Sequence, residues 1–212
     1  MCSRFSQKVL SHYTDLLKAI ANHSSVDTKK ESDEYHQVRP TDIAWVCAIG
    51  RDGRRHLAPL RWGLVPAWSK NSDTRINLFN ARAETVHEKP TFRDAFRYRR
   101  CLIPAEDFFE WSGNEKPKQL YIVRRRDRVP LVFAGLWEHW RNKDGRVINS
   151  FTIIVTEANS AIAPIHDRMP VILEENVFDR WLNSAINPMD LRDLLNPWKA
   201  DLQVEKICGR MP

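Results

Sequence analysis

The residue with most chemistry to offer is Cys2. Methionine followed by a small residue is a common substrate for initiator-methionine removal, and a chain beginning at Cys2 would carry an α-amine and a thiol on adjacent carbons. The ordinary pKa values of these groups, about 8 and about 8.5, leave a fraction of each reactive near neutrality. Such a pair suits an aldehyde: the amine forms a Schiff base and the thiol then closes a thiazolidine ring. An internal cysteine has its nitrogen tied up in an amide and cannot do this. Position alone does not demand the chemistry, because residue 2 can equally be of no consequence.

Other groups could move protons or grip a substrate. His166, in Ile165-His166-Asp167-Arg168-Met169-Pro170, has the side chain whose ordinary pKa lies nearest neutrality. Glu110 is bracketed by aromatic residues in Phe108-Phe109-Glu110-Trp111. Desolvation there would raise its pKa and make it a general acid or base; an ion pair with one of the many arginines would make it structural. Asn80-Ala81-Arg82 sets an amide and a guanidinium two residues apart, on one face if the segment is extended. An amide for a sugar beside a guanidinium for a phosphate fits a nucleotide substrate.

These residues need a scaffold, and the apolar pattern supplies one. Val9, Tyr13, Leu16, Leu17 and Ile20 recur at helical spacing with Ser6 as the cap, and His23 to Arg39 reads as a flexible polar loop. Trp45–Ile49 and His56–Trp62 read as strands joined across Asp52-Gly53. Further strands are expected at Cys101–Pro104, Phe108–Trp111, Leu120–Arg124, Leu131–Trp137 and Val147–Thr156, with Asp144-Gly145 turning the last pair. Short helices are expected around Asn176–Leu182 and Met189–Leu195, the second opened by Pro188, before a final strand at Leu202–Ile207. Strands at hairpin spacing favour an α+β fold: one domain over residues 1–212, with a mostly antiparallel, barrel-like β core and peripheral helices.

Composition narrows the function classes. With 212 residues, 42% hydrophobic and 28% charged, the chain can bury its own core as a soluble globular protein. It lacks the ~20-residue apolar run of a membrane span, and no apolar h-region of a signal peptide follows Met1. Cys2, Cys47, Cys101 and Cys208 form no CxxC pair, and the histidines form no HxH or HxxxH. Neither a disulfide framework nor a metal site is expected, no cofactor is implied, and a reducing compartment, cytoplasm or nucleoid, follows. A net charge of +6 attracts polyanions. Two arginine groups, Arg93/Arg97/Arg99/Arg100 and Arg124/Arg125/Arg126/Arg128, read first as solvated faces. Eight tryptophans, mostly core, leave room for a few exposed rings on which bases of a single strand could stack.

Taken together, the motifs resemble the SOS-response-associated peptidase (SRAP) family. The matching elements, in family order, are Met1-Cys2 with Arg4-Phe5, Arg61-Trp62-Gly63-Leu64-Val65-Pro66-Ala67-Trp68, and Asn80-Ala81-Arg82-Ala83-Glu84-Thr85. Arg100-Cys101-Leu102-Ile103-Pro104-Ala105, Phe108-Phe109-Glu110-Trp111 and His166-Asp167-Arg168-Met169-Pro170 complete the set. The resemblance implies a protein that loses Met1 by self-catalysis and uses Cys2 to trap abasic sites in single-stranded DNA. It implies Cys2 as nucleophile, Asn80 as orienting amide, Glu110 as proton-transfer group and His166 as helper in sugar opening. Arg82 and Arg168 would hold phosphates, Arg4 and Trp68 would line the DNA groove, and Pro40 would stack near the lesion. A DNA-bound monomer of the cytoplasm, associated with the nucleoid and not with membranes, is the corresponding expectation.

The chain departs from the family spelling at Ser3 and Asp107, where glycine is usual, and at Gln37-Val38-Arg39 before Pro40. Two rivals stay open at this stage: a thiol peptidase using Cys2, His166 and Glu110 on other proteins, and a non-covalent single-strand binder. Lyase chemistry through the Schiff base is open as well.

Overall fold

A computed structural model of the chain describes residues 2–8, 35–70, 78–112 and 118–208. Two sheets share one aromatic core. The first is built from β1 (Phe5–Lys8), β2 (Tyr35–Val38), β7 (Asp107–Ser112), β8 (Gln119–Arg125) and β12 (Leu202–Lys206), in the order β12-β8-β7-β1-β2. All its pairings are antiparallel. The second is a ring: β10 (Val147–Glu157), β4 (Arg55–Trp62), β3 (Ile43–Ile49), β6 (Arg100–Ala105) and β9 (Leu131–Arg141), closed because β9 pairs back with β10. Closure removes the unpaired edges that an open sheet would leave.

β10 joins the ring to the rest. One edge takes β9, and the other takes β4 and then β5 (Asn80–Arg82), both parallel to it. β11 (Arg168–Pro170) pairs antiparallel with residues 155–157 of β10. The expected hairpins are present, with Asp52-Gly53 turning β3 into β4; Gly53 sits at φ +74°, where a side chain would be strained. Gly135, in β9, is needed for a different reason: a Cβ there would collide with the Ile103 side chain and meet Cys101 Sγ at 3.0 Å.

The core begins at the N-terminus. Phe5 packs edge-on to Trp62 at 5.0 Å and to Phe133 at 5.9 Å between ring centroids, so β1 of the first sheet inserts its side chain among barrel residues. Trp62 stacks on Phe151 at 6.2 Å. A second cluster covers the outer side of the barrel, where α1 (Arg93–Tyr98), α2 (Phe178–Leu182) and a 3₁₀ segment (Pro188–Leu195) contribute Phe96, Trp181 and Leu191.

Several expectations change. Ser6 is not a helix cap: it lies within β1, and its hydroxyl donates to Asp107. The helix over Val9 to Ile20 lies outside the described residues, as does most of His23 to Arg39, but residues 35–38 form β2 rather than loop. The segment read as helix around Asn176 starts as a 3₁₀ turn, and Pro188 opens a run that is 3₁₀ throughout. α1 and β11 carried too few residues to be read.

Of the arginine groups, Arg93, Arg97, Arg126 and Arg128 are exposed as expected, whereas Arg99, Arg100, Arg124 and Arg125 are not. Arg100 is 3% exposed, donating to the carbonyls of Phe96, Arg97, Trp181 and Asn183 at 2.5–2.9 Å. It thereby ties the ends of α1 and α2 to the barrel. Burial lowers its pKa to about 10, so it stays charged at neutral pH. Arg99 pairs with Glu138, Arg124 with Glu205, Arg125 with Asp127 and Arg126 with Asp201. No described helix is long and apolar enough to cross a membrane.

Candidate functional site

The N-terminal run is threaded between the sheets. Cys2 has no solvent exposure, and its carbonyl accepts from Asn80 Nδ2 at 2.7 Å. Its thiol donates to the Arg4 carbonyl at 3.7 Å, an oxygen that also accepts from the Phe109 N–H at 2.9 Å. Burial, reinforced by the nearby Glu110 charge, pushes the thiol well above the ordinary cysteine value. The sulfur is therefore a thiol at neutral pH.

Glu110 lies at the middle of β7, 1% exposed. Burial pushes its carboxyl up to about 7, against the downward pull of the positive amino terminus. A group poised there can give or take a proton at physiological pH. Asn80 sits on β5, which is extended as the same-face expectation required: Ala81 points into the core, while Asn80 is half-buried and Arg82 exposed. Asn80 Oδ1 is buried and accepts no hydrogen bond among the described residues.

His166 precedes β11, at the end of a turn held by Asn159, whose Oδ1 accepts from the N–H groups of Ala161 and Ile162. Its Nδ1 lies 3.0 Å from the Arg168 N–H and 2.8 Å from Asp167 Oδ1. One nitrogen cannot accept from the first and donate to the second. Burial, the main influence, lowers the His166 pKa, with Asp167 pulling it up. The backbone N–H can only donate, whereas the Asp167 side chain is 82% exposed and can turn to water. The neutral ring with Nδ1 accepting and the proton on Nε2 satisfies more of this environment.

The residues expected to contact DNA have varied settings. The Arg4 guanidinium lies over the Trp111 ring at 5.1 Å, its charge disfavoured by burial and by the neighbouring Arg39. Half-buried Pro40 occupies the turn after β2; Thr41 beside it has φ +81°, a strained setting for a β-branched residue, held by its N–H to the Trp62 carbonyl at 2.8 Å. Trp68 is 66% exposed. Arg82 has no ion pair among the described residues, but Arg168 is paired with Glu84. Sequence reading missed Trp111 and Arg39 as neighbours of Arg4, and Glu84 as the partner of Arg168. The first two come from strand pairings that bridge long stretches of chain; Glu84 lay within a motif already noted.

The chain matches the family model described as SOS response associated peptidase (SRAP) over residues 1–211. It belongs to the SRAP family. Abasic site processing protein YoqW of Bacillus subtilis is 37% identical over 207 residues, covering 95% of this chain and 89% of that one. Abasic site processing protein HMCES of Pongo abelii is 29% identical over 176 residues, 68% of this chain and 50% of that protein. Among crystal structures, a protein from Bacteroides thetaiotaomicron superposes with a TM-score of 0.85 at 26% identity, covering 98% of this chain and 93% of its own. One from Bordetella bronchiseptica gives 0.80 at 28%, covering 98% and 100%. Against the SRAP pattern, Ser3 does not stand at positive φ, so glycine's freedom is not used there. Asp107 is compensated by the Ser6 hydroxyl, which it accepts while burial raises its carboxyl.

Proposed function

We propose that this protein captures abasic sites in single-stranded DNA through Cys2 as a covalent thiazolidine. The observation that carries this is the placing of Cys2: its carbonyl is held by Asn80 and its thiol lies in the field of a glutamate poised near pH 7. The relatives named abasic site processing proteins support the same reading.

The chemistry has two stages. Water first adds to the Met1–Cys2 peptide carbonyl and the bond to the Cys2 nitrogen breaks, releasing methionine and leaving an amine; Glu110 takes a proton from the water and returns one to the leaving nitrogen. The amine then condenses with the C1′ aldehyde of the opened deoxyribose, expelling water. The thiol adds across the resulting C=N bond, its proton ending on the ring nitrogen. His166, with the proton on Nε2, donates to the sugar ring oxygen as it opens. Asn80 Oδ1 accepts from the amine or the opened sugar. Arg82 and Arg168 hold phosphates, Arg4 and Trp68 line the strand's path, and Pro40 stacks beside the lesion. Lyase activity would be elimination from the Schiff base before ring closure.

A peptidase acting on other proteins would need Cys2 as a standing thiolate to attack a peptide carbonyl, and the raised Cys2 thiol weighs against it. The test is incubation of the mature chain with a single-stranded oligonucleotide bearing one abasic site, followed by a denaturing gel. A slow-migrating adduct that disappears with Cys2→Ala is expected; its absence from the wild-type lane, or persistence in the variant, would overturn the reading.

A further inference from the structure

We propose that Gln7 is a positioning residue for Cys2, its carboxamide standing in for a peptide group at a gap in the barrel's ladder. This rests on the covalent-capture reading above. β3 and β6 pair directly at Cys47↔Leu102 and Ala48↔Cys101. Continuing that register would set Trp45 opposite Pro104, and proline has no N–H to give. The Gln7 side chain fills that place. Its Nε2 donates to the Trp45 carbonyl at 2.9 Å and to the Pro104 carbonyl at 2.8 Å, and its Oε1 accepts from the Trp45 N–H at 2.8 Å. Both amide protons are used and the residue is 3% exposed, so orientation is fixed: a flipped amide would face the Trp45 N–H with another donor.

The consequence reaches Cys2 along a short, stiff lever. From Gln7 the chain runs back through Ser6, bonded to Asp107, through Phe5, wedged between Trp62 and Phe133, and through Arg4, whose carbonyl holds the Phe109 N–H. β1 itself pairs with β7, the strand of Glu110, only at Phe5↔Phe108 and Ser6↔Asp107. Gln7 supplies the attachment to the other sheet, which also reaches Cys2 through β5 and Asn80. The nucleophile is thus referenced to both walls of its site.

Gln7→Glu removes both donors and sets a carboxylate against two carbonyls; Gln7→Met removes every hydrogen bond at similar volume. Both would be compared with wild type in full-length chains, using single-turnover capture of the abasic oligonucleotide below each variant's melting midpoint. The expected result is a maximal rate lowered about tenfold or more, the scale of a sub-ångström misplacement. The half-saturating DNA concentration should rise by less than the rate falls, because Arg4 is the one proposed groove residue within the loosened segment. Hydrogen exchange followed by mass spectrometry should show lost protection over residues 3–8. If Gln7→Glu does not fold, Gln7→Met decides. Variants that melt earlier yet keep the wild-type maximal rate, or keep protection over residues 3–8, would overturn the proposal. If wild type itself forms no adduct, the capture reading fails, and the exchange measurement alone decides whether Gln7 anchors the strand.

Discussion

Glu110→Gln separates the cost of the buried carboxylate from its use. The side chain is 1% exposed and titrates near 7 instead of the ordinary 4.5 because burial disfavours its charged form. Between those two values the folded chain keeps a proton that the unfolded chain has released. The neutral carboxyl's contribution is therefore fully present below about 4.5 and is lost as pH rises through 7. At about 1.4 kcal/mol per pH unit, the ionised group costs the folded state about 3 kcal/mol at alkaline pH. Glutamine has nearly the same shape and no charge to bury. Urea unfolding of both proteins at about pH 4.5 and about pH 8.5 should show the variant gaining about 3 kcal/mol on wild type, a relative midpoint change of about 1 M urea. With Cys2 exposed beforehand in both chains, adduct formation by wild type should change slope near pH 7, and that inflection should vanish in the Glu110→Gln variant, which has no acid to titrate. A stability difference that stays level across this range would mean that the carboxyl titrates as an ordinary surface glutamate, and the acid–base role would fall with it.

Asn80→Ala removes the donor to the Cys2 carbonyl; capture should slow about tenfold, the worth of one hydrogen bond of about 1.4 kcal/mol, with little change in non-covalent DNA affinity by anisotropy. Arg100→Met leaves four carbonyls around a buried site without their donor and should cost about 3 kcal/mol or more in urea unfolding. Arg100→Lys should recover only part of this, since an ammonium cannot reproduce the planar fork. Glu84→Gln releases Arg168 from its ion pair and should raise affinity for single-stranded DNA at low salt, steepening the salt dependence by about 0.7 in log–log slope for one added phosphate contact. An unchanged slope would remove Arg168 from the DNA-facing set.

How much of this could be read beforehand divides by the range of the interaction. The β3–β4 and β9–β10 hairpins were legible because alternation and the Asp-Gly turns are local signals. A barrel-like core was expected as well, but the parallel seating of β4 and β5 on β10 was not, since neither strand carries a mark of its partner. β1 shows the difference most clearly. Ser6 looked like a cap because a helical pattern follows it, yet Phe5 and Gln7 answer to Trp62, Phe133, Trp45 and Pro104, far along the chain. At the candidate site, residue types singled out Cys2, Glu110, Asn80 and His166 as candidates, while only geometry could supply the tautomer of His166, the Glu84 partner of Arg168 and the Trp111 platform under Arg4.

The seclusion of Cys2 also dictates how the molecule can be handled. A purification handle ahead of Met1 would mask the nitrogen that the proposed capture uses and would need an exit past a residue with no water-facing surface. β12, by contrast, is an outer strand of its sheet and ends at exposed Lys206, so fusions and labels belong at that end.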